Sequence, residues 1–316
     1  MKNLEKLFHG TLWCEEKEGY VVPRRFTKEQ MEYFKFKEFF FLRTHCGASI
    51  TLEFKTDATE ISFAYKFFMH VHDANALEVY TNGILTHKHE ISRLDTEGTL
   101  RLHFEEGEKN IEIYMPYSSE TGVKDFVANG KVRAISKKKT KVLVIGDSIT
   151  QGSGSNRGSQ TFVNIVKRAM NYEVVNQALG SYYCDENGLK DLHFEPDKII
   201  VAQGANHTNF EKEHNQVLIE NFFKALSERF GDKKTLVLLP IYCGKEPKEE
   251  IKQKFKRVRD ILVEVGSKYP QVQLVDAFNF VPHFAEYYVE DFVHPNSLGM
   301  ELYGNNLVKA MKKIKF

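Results

Sequence analysis

The sequence predicts a two-domain α/β protein, in which an antiparallel β-sandwich over residues 1–136 precedes a doubly wound parallel α/β domain over residues 137–316. With 316 residues the chain is too long for one typical domain and suits two. Its 25 Phe and 14 Tyr suit a β-rich portion, because aromatic side chains pack well on half-buried pleated surfaces. Near residue 140 the pattern changes from short aromatic segments to continuous apolar runs that alternate with helical patterns.

The first half is predicted to consist of strands joined by frequent turns, without a convincing helix. Its short segments rich in aromatic and β-branched residues are 39–43, 49–54, 60–65, 77–85, 100–104 and 111–115. Asn82 and Gly83 form a dipeptide that strongly favours a type I′ turn between two apolar runs. Short strands with turns at this frequency indicate an antiparallel sandwich.

The second half is predicted to be a parallel sheet covered by helices on both faces. Apolar runs that suit buried parallel strands are 142–145, 198–202, 235–239 and 272–276, with a weaker run at 172–176. The helical patterns are 211–230, 246–268 and 298–314. This alternation indicates a doubly wound domain, in which reactive groups collect beyond the carboxyl ends of the strands. Candidate catalytic residues should therefore follow strands.

Charge and cysteine content argue against several classes of partner. Lys plus Arg (44) nearly cancels Asp plus Glu (43), so the net charge of +1 gives no general field that favours nucleic acid or an anionic membrane. The basic run 137–141 is predicted to be a solvated linker. The sequence contains no apolar stretch of about 18 residues, as a membrane span would need. Its four cysteines are scattered without a C-x-x-C pair, so neither a zinc site nor a redox dithiol is predicted.

The first residues lack the apolar segment of a secretory signal. Scattered cysteines suit a reducing compartment. We therefore expect a cytoplasmic protein, or a secreted one if a leader precedes this sequence. The oligomeric state is not predicted.

Ser148 is the candidate nucleophile. It comes three residues after the apolar run 142–145, in the segment Gly-Asp-Ser-Ile-Thr-Gln-Gly. A serine at a sharp strand-to-helix turn exposes its hydroxyl, and its amide points with the helix N-terminus toward negative charge. Residues of this type also favour ordinary turns. The segment matches neither the G-x-S-x-G pattern of α/β-hydrolases nor a P-loop.

His294 is the candidate general base, and Asp291 is the residue expected to orient it. Both lie after the last apolar run and before the closing helical pattern. An Asp three residues before a His can reach its Nδ1 across one turn, which leaves Nε2 to take the serine proton. The alternative is that both residues only cap the final helix. His283 is another possible base, but it lacks an Asp at this spacing.

Two further residues are candidate donors to an oxyanion. Gly180 can present a backbone amide at close approach, because it has no side chain. Asn206, just after the run 198–202, offers a side-chain amide. Taken singly, each residue also fits an ordinary turn.

Ser148, Gly180, Asn206 and His294, in this order and each after a predicted strand, resemble the four sequence blocks of the SGNH (GDSL) hydrolase superfamily. The resemblance covers the whole second half of the chain. It implies a flavodoxin-like three-layer α/β/α fold, with Ser148 as nucleophile, His294 as base and Asp291 orienting the base. It also implies an oxyanion hole made by the amides of Ser148 and Gly180 and the side chain of Asn206.

A β-sandwich before such a domain resembles carbohydrate esterase family two, whose members deacetylate polysaccharides, and related bacterial GDSL proteins, some of them acyltransferases. The resemblance implies a jelly-roll-like sandwich and a serine esterase that removes short acyl groups, above all acetyl, from a carbohydrate. No metal or organic cofactor is required by this chemistry. The expected partner is a small-molecule or oligosaccharide ester. The alternatives are an acyltransferase with the same triad and a non-catalytic carbohydrate-binding protein.

Residues near the blocks supply the candidate substrate-lining positions, which are Asp147, Tyr182, Tyr183 and His207. The tyrosines could equally be packing residues. His207 stands where the superfamily often has Asp, and we expect a structural substitute there more than a substrate contact. The deacetylating family commonly carries Trp just before its catalytic His, whereas this chain has Phe292 and Val293. That departure weakens the assignment to this particular family.

His70 and His72 alternate along a predicted strand and therefore share one face. The sequence offers no evident third ligand near them. We expect this pair to mark a substrate-facing edge, or to have no special role, and not to bind a metal.

Overall fold

The structure, a computed structural model, describes residues 3–72, 76–90, 94 and 96–316. It comprises a region of antiparallel sheets followed by a region built on a parallel sheet. The strands of the first region are β1 (Phe8–His9), β2 (Trp13–Lys17), β3 (Tyr20–Arg24), β4 (Thr51–Thr56), β5 (Glu60–His70), β6 (Ala76–Thr81), β7 (Ile84–Glu90), β8 (Glu97–His103), β9 (Lys109–Tyr114), β10 (Ser119–Ala128) and β11 (Val132–Ala134). Its helices are α1 (Lys28–Tyr33) and α2 (Glu38–Thr44).

The first region is the predicted antiparallel sandwich. One sheet has the order β1-β4-β9-β6-β7, with β11 paired to β4, and the other has the order β2-β3-β10-β5-β8. Strand β5 buries alternate residues, among them Phe63 and Phe67, because successive side chains point to opposite faces of a strand. These rings pack with Leu52, Phe54 and Ile113 of the facing sheet in one apolar core.

The predicted type I′ hairpin is confirmed. Asn82 and Gly83 join β6 to β7, and both have positive φ, 51° and 82°. A type I′ turn requires this conformation at both central positions, and it is accessible at low cost only to Gly, Asn and Asp.

The prediction of a strand at 39–43, and of no helix in the first half, is wrong. Residues of this segment belong to α2, in which Phe40, Arg43 and Thr44 share one buried face. The ring of Phe40 lies 5.1 Å from that of Tyr182 in the second region. A short aromatic segment can bury alternate residues as a strand or one face as a helix, and the sequence alone does not distinguish the two. Here the contact of Phe40 with the second region favours the helix.

The second region is the predicted doubly wound domain. Its strands are β12 (Thr140–Gly146), β13 (Tyr172–Asn176), β14 (Lys198–Ala202), β15 (Lys234–Leu239) and β16 (Val272–Asp276), and its helices are α3 (Ser148–Gln151), α4 (Phe162–Met170), α5 (Lys212–Phe230), α6 (Glu249–Gly266) and α7 (Ser297–Lys313). The strands are parallel in the order β13-β12-β14-β15-β16, which is the flavodoxin-like 2-1-3-4-5 arrangement. The predicted division between residues 136 and 137 falls in the connection from β11 to β12.

Helices cover both faces of the parallel sheet, as the continuous apolar strands require. Val142 and Val144 pack with Leu307 of α7 on one face. Leu143 and Ile145, the alternate residues of the same strand, pack with α5 and α6 on the other. In the described part of the chain, none of the helices has both the length and the apolarity needed to cross a membrane.

Buried ion pairs join the sandwich to the parallel sheet. Glu173 of β13 accepts hydrogen bonds from the Gly10 amide (3.0 Å) and pairs with His9 Nδ1 (2.8 Å). Lys167 of α4 lies 3.0 Å from the carboxylate of Glu53 in β4. These pairs lie toward the amino end of β13. Arg25 of the sandwich donates to the carbonyls of Asn176 and Ala178, and this contact places the sandwich beside the carboxyl end of β13 as well.

Candidate active site

Ser148 is the first residue of α3, directly beyond the carboxyl end of β12. The preceding turn is tight, because a Cβ at Gly146 would lie only 2.3 Å from Thr150. Asp147 caps the helix by accepting the Ile149 amide at 3.1 Å. Burial raises the pKa of Asp147 to about 6.

His294 and Asp291 meet the nucleophile in the geometry that a serine triad needs. The Oγ of Ser148 lies 2.7 Å from His294 Nε2, and His294 Nδ1 lies 2.5 Å from Asp291 Oδ2. A carboxylate only accepts, so Nδ1 carries the ring hydrogen and Nε2 is left to accept the serine proton.

Asp291 is held by its own loop. Its Oδ1 accepts the amides of Val293 (2.8 Å) and His294 (3.0 Å). Burial acts to raise the pKa of Asp291, but these amides and the His294 ring outweigh it and keep the pKa below its usual value. The cap of α7 is Asn296, which accepts the Leu298 and Gly299 amides, so Asp291 and His294 do not serve as helix caps.

Two of the predicted oxyanion donors have hydrogens available at the site. Among the described residues, no acceptor is found for the Ser148 amide, which opens α3. Asn206 uses one amide hydrogen on the carbonyl of Tyr182 at 2.9 Å and retains the other. Both residues line the same cleft as His294.

Gly180 does not present its amide as predicted. Its N–H donates to Oε1 of Gln151 at 2.8 Å. The next residue, Ser181, has φ of 61° and lines the cleft, and in the described part of the chain its amide meets no acceptor. In this arrangement the Ser181 amide, one residue later than predicted, is the available donor. Its signal in the sequence is weak, because serine seldom adopts positive φ.

The triad opens into a cleft of about 1140 Å³ that both regions line. The second region contributes the triad, the Ser181 loop and the segment from Ser153 to Asn156. The sandwich contributes Phe39, Arg43, His72, Lys88, Glu90 and Tyr117. The sandwich is therefore part of the wall of the site.

The candidate substrate-lining residues lie elsewhere. Asp147, Tyr182, Tyr183 and His207 are not among the residues of this cleft. Tyr182 is buried and donates its hydroxyl hydrogen to Asp185. Tyr183 packs edge-on against Phe210, 5.2 Å between ring centroids.

His207 joins neighbouring segments by hydrogen bonds, as expected for a structural residue. Burial lowers its pKa to about 4, so the ring is neutral at neutral pH. Its Nε2 accepts the Cys184 amide at 3.0 Å, and its Nδ1 bonds Asn215 at 2.8 Å.

The other three histidines considered in the sequence, His70, His72 and His283, have different surroundings in the structure. His72 lines the cleft, and a role in facing the substrate stays a prediction. His70 bonds the hydroxyl of Ser119 at 2.7 Å. His283 stacks on Tyr242 with 3.9 Å between ring centroids and does not line the cleft. In the part of the chain that the structure describes, no group of three possible metal ligands is found.

The sequence does not identify Arg43 and Tyr117 as cleft residues, and it places Ser181 in a loop that lines the acyl pocket without identifying its amide as an oxyanion donor. Arg43 lies in a segment that was predicted to be a strand. Tyr117 follows β9, in a region where the sequence contains no catalytic or binding motif. No local sequence pattern identifies Arg43 or Tyr117, because they reach the cleft only through the packing of the sandwich against the second region.

Comparisons with known proteins agree with this architecture. In solved structures the fold recurs in a GDSL-like protein of Bacteroides ovatus (16% identity, TM-score 0.81, covering 98% of this chain and 95% of that one). It recurs in a salicylyl-acyltransferase of a tetracycline biosynthetic pathway (17% identity, TM-score 0.79, 98% and 94%). A family two carbohydrate esterase of Cellvibrio japonicus is also similar (13% identity, TM-score 0.70, 98% and 96%).

At these identities the structures show a shared fold. None of the curated proteins compared with the chain matches it. A family model described as GDSL-like lipase/acylhydrolase matches residues 144–302, half of the chain, a span that includes Ser148, Asn206 and His294. The protein therefore belongs to the GDSL-like lipase/acylhydrolase family.

Proposed function

We propose that the protein is a serine esterase that removes short acyl groups, acetyl above all, from a carbohydrate or a similar small alcohol. Ester hydrolysis or acyl transfer follows from its membership of the acylhydrolase family. The observation that carries the proposal is the hydrogen-bonded chain from Ser148 Oγ through His294 to Asp291, with distances of 2.7 and 2.5 Å. The sugar is suggested by the similarity in fold to a carbohydrate esterase, and the acetyl group by the similarity in fold to an acetyl xylan esterase.

In the first half of the reaction, Ser148 Oγ attacks the ester carbonyl while His294 Nε2 takes the hydroxyl proton. The carbonyl oxygen becomes an oxyanion, to which the amides of Ser148 and Ser181 and the side chain of Asn206 donate. The bond to the alcohol oxygen then breaks, and His294 returns its proton to that oxygen. Asp291 keeps the imidazole in the required tautomer and stabilises its positive charge.

In the second half, water attacks the acyl-enzyme and gives a proton to His294. The intermediate collapses to the free acid, and the serine regains its hydrogen. All proton transfers run through one histidine, so the proposed reaction needs no cofactor.

The test is release of p-nitrophenol from p-nitrophenyl acetate by the wild-type protein and by Ser148→Ala. We expect Ser148→Ala to lose all but about a thousandth of the activity or less. A fluorophosphonate probe should label the wild type and Ser153→Ala, a matched control at another serine of the cleft, but not Ser148→Ala. Undiminished activity in Ser148→Ala would contradict the assignment of Ser148 as the nucleophile.

Acyl transfer is the second candidate, and the volume of the cleft favours it. A cleft of about 1140 Å³ leaves room for an acceptor alcohol beside a short acyl group, and a protein with the same fold is an acyltransferase. Product analysis with an added sugar or alcohol separates the two. An acylated acceptor in excess of free acid would favour transfer.

A further inference from the structure

Arg43 brings a positive charge from the sandwich to the catalytic loop. It is 5% exposed and lines the cleft that holds Ser148. A Cβ at Gly180 would lie 2.6 Å from its Nε, so the guanidinium lies directly against the loop that carries the Ser181 amide.

The guanidinium has few partners for a buried cation. Its Nη1 donates to the carbonyl of Phe39 at 3.1 Å, and it stacks 3.4 Å from the centroid of the Phe39 ring. Its Nη2 makes only a long contact, 3.4 Å, with His72 Nε2. Its Nε is buried and has no acceptor among the described residues.

Two other buried arginines of the sandwich have more acceptors than Arg43. Arg24 donates from Nε and Nη2 to one carboxylate oxygen of Glu15, at 2.9 and 2.6 Å, and from Nη2 to Glu120, so it has two carboxylate partners although its Nη1 has no acceptor among the described residues. Arg25 donates to four backbone carbonyls. Arg43 has neither arrangement, and in the described part of the chain no carboxylate pairs with it. A desolvated cation without an anion is costly, so the site is matched to an anion from outside.

The remaining charges of the cleft do not supply that anion. Glu90 already bonds Lys88 at 2.6 Å, and Asp291 is engaged by His294. Lys245, an exposed residue that lines the cleft, has no ion-pair partner among the described residues. The cleft therefore has an excess of positive charge.

We propose that the natural substrate is an ester that carries a carboxylate, and that Arg43 binds this group next to the catalytic loop. The proposal rests on the esterase function above and narrows its substrate class. An arginine suits this task because its planar fork matches a carboxylate with two parallel hydrogen bonds. The carboxylate belongs either to the alcohol portion, as in an acetylated uronic acid, or to the acyl portion, as in the half-ester of a dicarboxylic acid.

The experiment compares charged and neutral esters of nearly the same shape. The alcohol arm uses acetylated glucuronic acid and its methyl ester. The acyl arm uses p-nitrophenyl hydrogen glutarate and p-nitrophenyl methyl glutarate. In one arm we expect the wild-type protein to prefer the charged ester at least about tenfold in kcat/KM, the effect of a hydrogen-bonded charge pair. The arm in which the preference appears identifies the portion that carries the carboxylate.

Variants assign the preference to Arg43. Arg43→Met should reduce the charged-to-neutral ratio at least about tenfold, and Arg43→Lys should keep part of it, since it retains the charge without the fork. Arg133→Met is the matched control, because it removes an exposed arginine of the same sandwich that is paired with Glu108 outside the cleft. Its ratio should equal that of the wild type.

The outcomes separate this inference from the esterase assignment. A wild-type protein that hydrolyses p-nitrophenyl acetate through Ser148 but shows no preference in either arm would overturn the inference and leave the esterase intact. A preference that survives in Arg43→Lys and Arg43→Met alike would also overturn it. If Arg43→Met does not fold, the wild-type ratios and Arg43→Lys decide the question.

Discussion

Gln151 Oε1 accepts the amide hydrogen of Gly180 at 2.8 Å, and this bond joins the last residue of the nucleophile helix to the loop that follows β13. Gln151 is buried, and its Nε2 makes only a long contact, 3.5 Å, with the carbonyl of Tyr117 in the sandwich. One side chain therefore fixes the position of the Ser181 amide relative to Ser148. This makes Gln151 a positioning residue for the oxyanion site.

Gln151→Leu should lower kcat about tenfold with little change in KM, because the loop loses its anchor while the substrate contacts remain. The unpaired Gly180 amide should also cost about 1–3 kcal/mol of stability. Gln151→Glu keeps an acceptor and should stay nearer the wild type in kcat. Steady-state kinetics on p-nitrophenyl acetate and thermal unfolding measure both effects. A rise in kcat in Gln151→Leu would instead indicate that the released Gly180 amide serves the oxyanion.

Gly180→Ala should reduce activity, whereas Ser181→Gly, at the adjacent residue, should retain it. A Cβ at Gly180 would meet Arg43 Nε at 2.6 Å, so the loop or the guanidinium must move, and we expect kcat/KM to fall at least about tenfold. Ser181 already has φ of 61°, and glycine adopts that conformation without strain. Ser181→Gly keeps the amide and should retain activity, with stability changed by less than about 1 kcal/mol. Inactive Ser181→Gly would show that the hydroxyl, not the amide, is required.

Asn206→Ala should lower kcat about 100-fold to 1000-fold with little effect on KM, the usual result of removing one oxyanion donor. This variant also loses the 2.9 Å bond to the Tyr182 carbonyl, which is a structural contact of the same loop. Asn206→Asp is therefore the second variant. It keeps the size of the side chain but replaces a donor with a negative charge, so it should be at least as inactive. Unfolding temperatures in both variants equal to that of the wild type would assign the loss to catalysis.

The sequence predicted the second region more completely than the first. Continuous apolar runs gave all five parallel strands, and Ser148, Asn206 and His294 follow strands, as the carboxyl-end rule requires. Helix α2 was not predictable from residues 38–44 alone, because a seven-residue aromatic segment suits a strand or a helix. Its conformation depends on contacts with Tyr182, far away in the chain.

The details of the site depended on contacts that are distant in sequence. The pairing of Asp291 with His294 is local and follows from their spacing. The occupation of the Gly180 amide depends on the side chain of Gln151, 29 residues earlier. The approach of Arg43 to the same loop depends on how the sandwich packs against the sheet. Motifs identify residues that follow strands, but they do not specify which hydrogens remain available.

Asp291→Asn should lower kcat about 1000-fold or more while the fold is kept. The amide can still accept from the Val293 and His294 backbone, but it no longer favours a hydrogen on His294 Nδ1. The pKa of Asp291 is held below its usual value, so the wild-type carboxylate stays charged across the neutral range. Kinetics and a crystal structure of the variant would check the result. Activity within about tenfold of the wild type would mean that Asp291 is dispensable for orienting the base.

The ion pair between Glu173 and His9 predicts how the protein responds to acid. Burial acts to raise the pKa of Glu173, but the hydrogen bond and charge of His9, with help from Lys137 and the Gly10 amide, outweigh it and hold the pKa at about 2. A carboxylate with a lowered pKa in the folded state contributes stability that is fully present above its unfolded pKa, near 4.5, and is lost as the pH falls toward about 2. The contribution at neutral pH is about 3 kcal/mol.

Glu173→Gln should therefore lower the stability at pH 7 and flatten its dependence on pH below about 4.5. Glu106→Gln, at an exposed carboxylate in the turn before β9, is the matched control and should leave both unchanged. Urea unfolding of the three proteins between pH 3 and pH 7 makes the comparison. Parallel pH profiles for the wild type and Glu173→Gln would contradict the prediction, because they would mean that the carboxylate takes up its proton equally easily in the folded and unfolded chains.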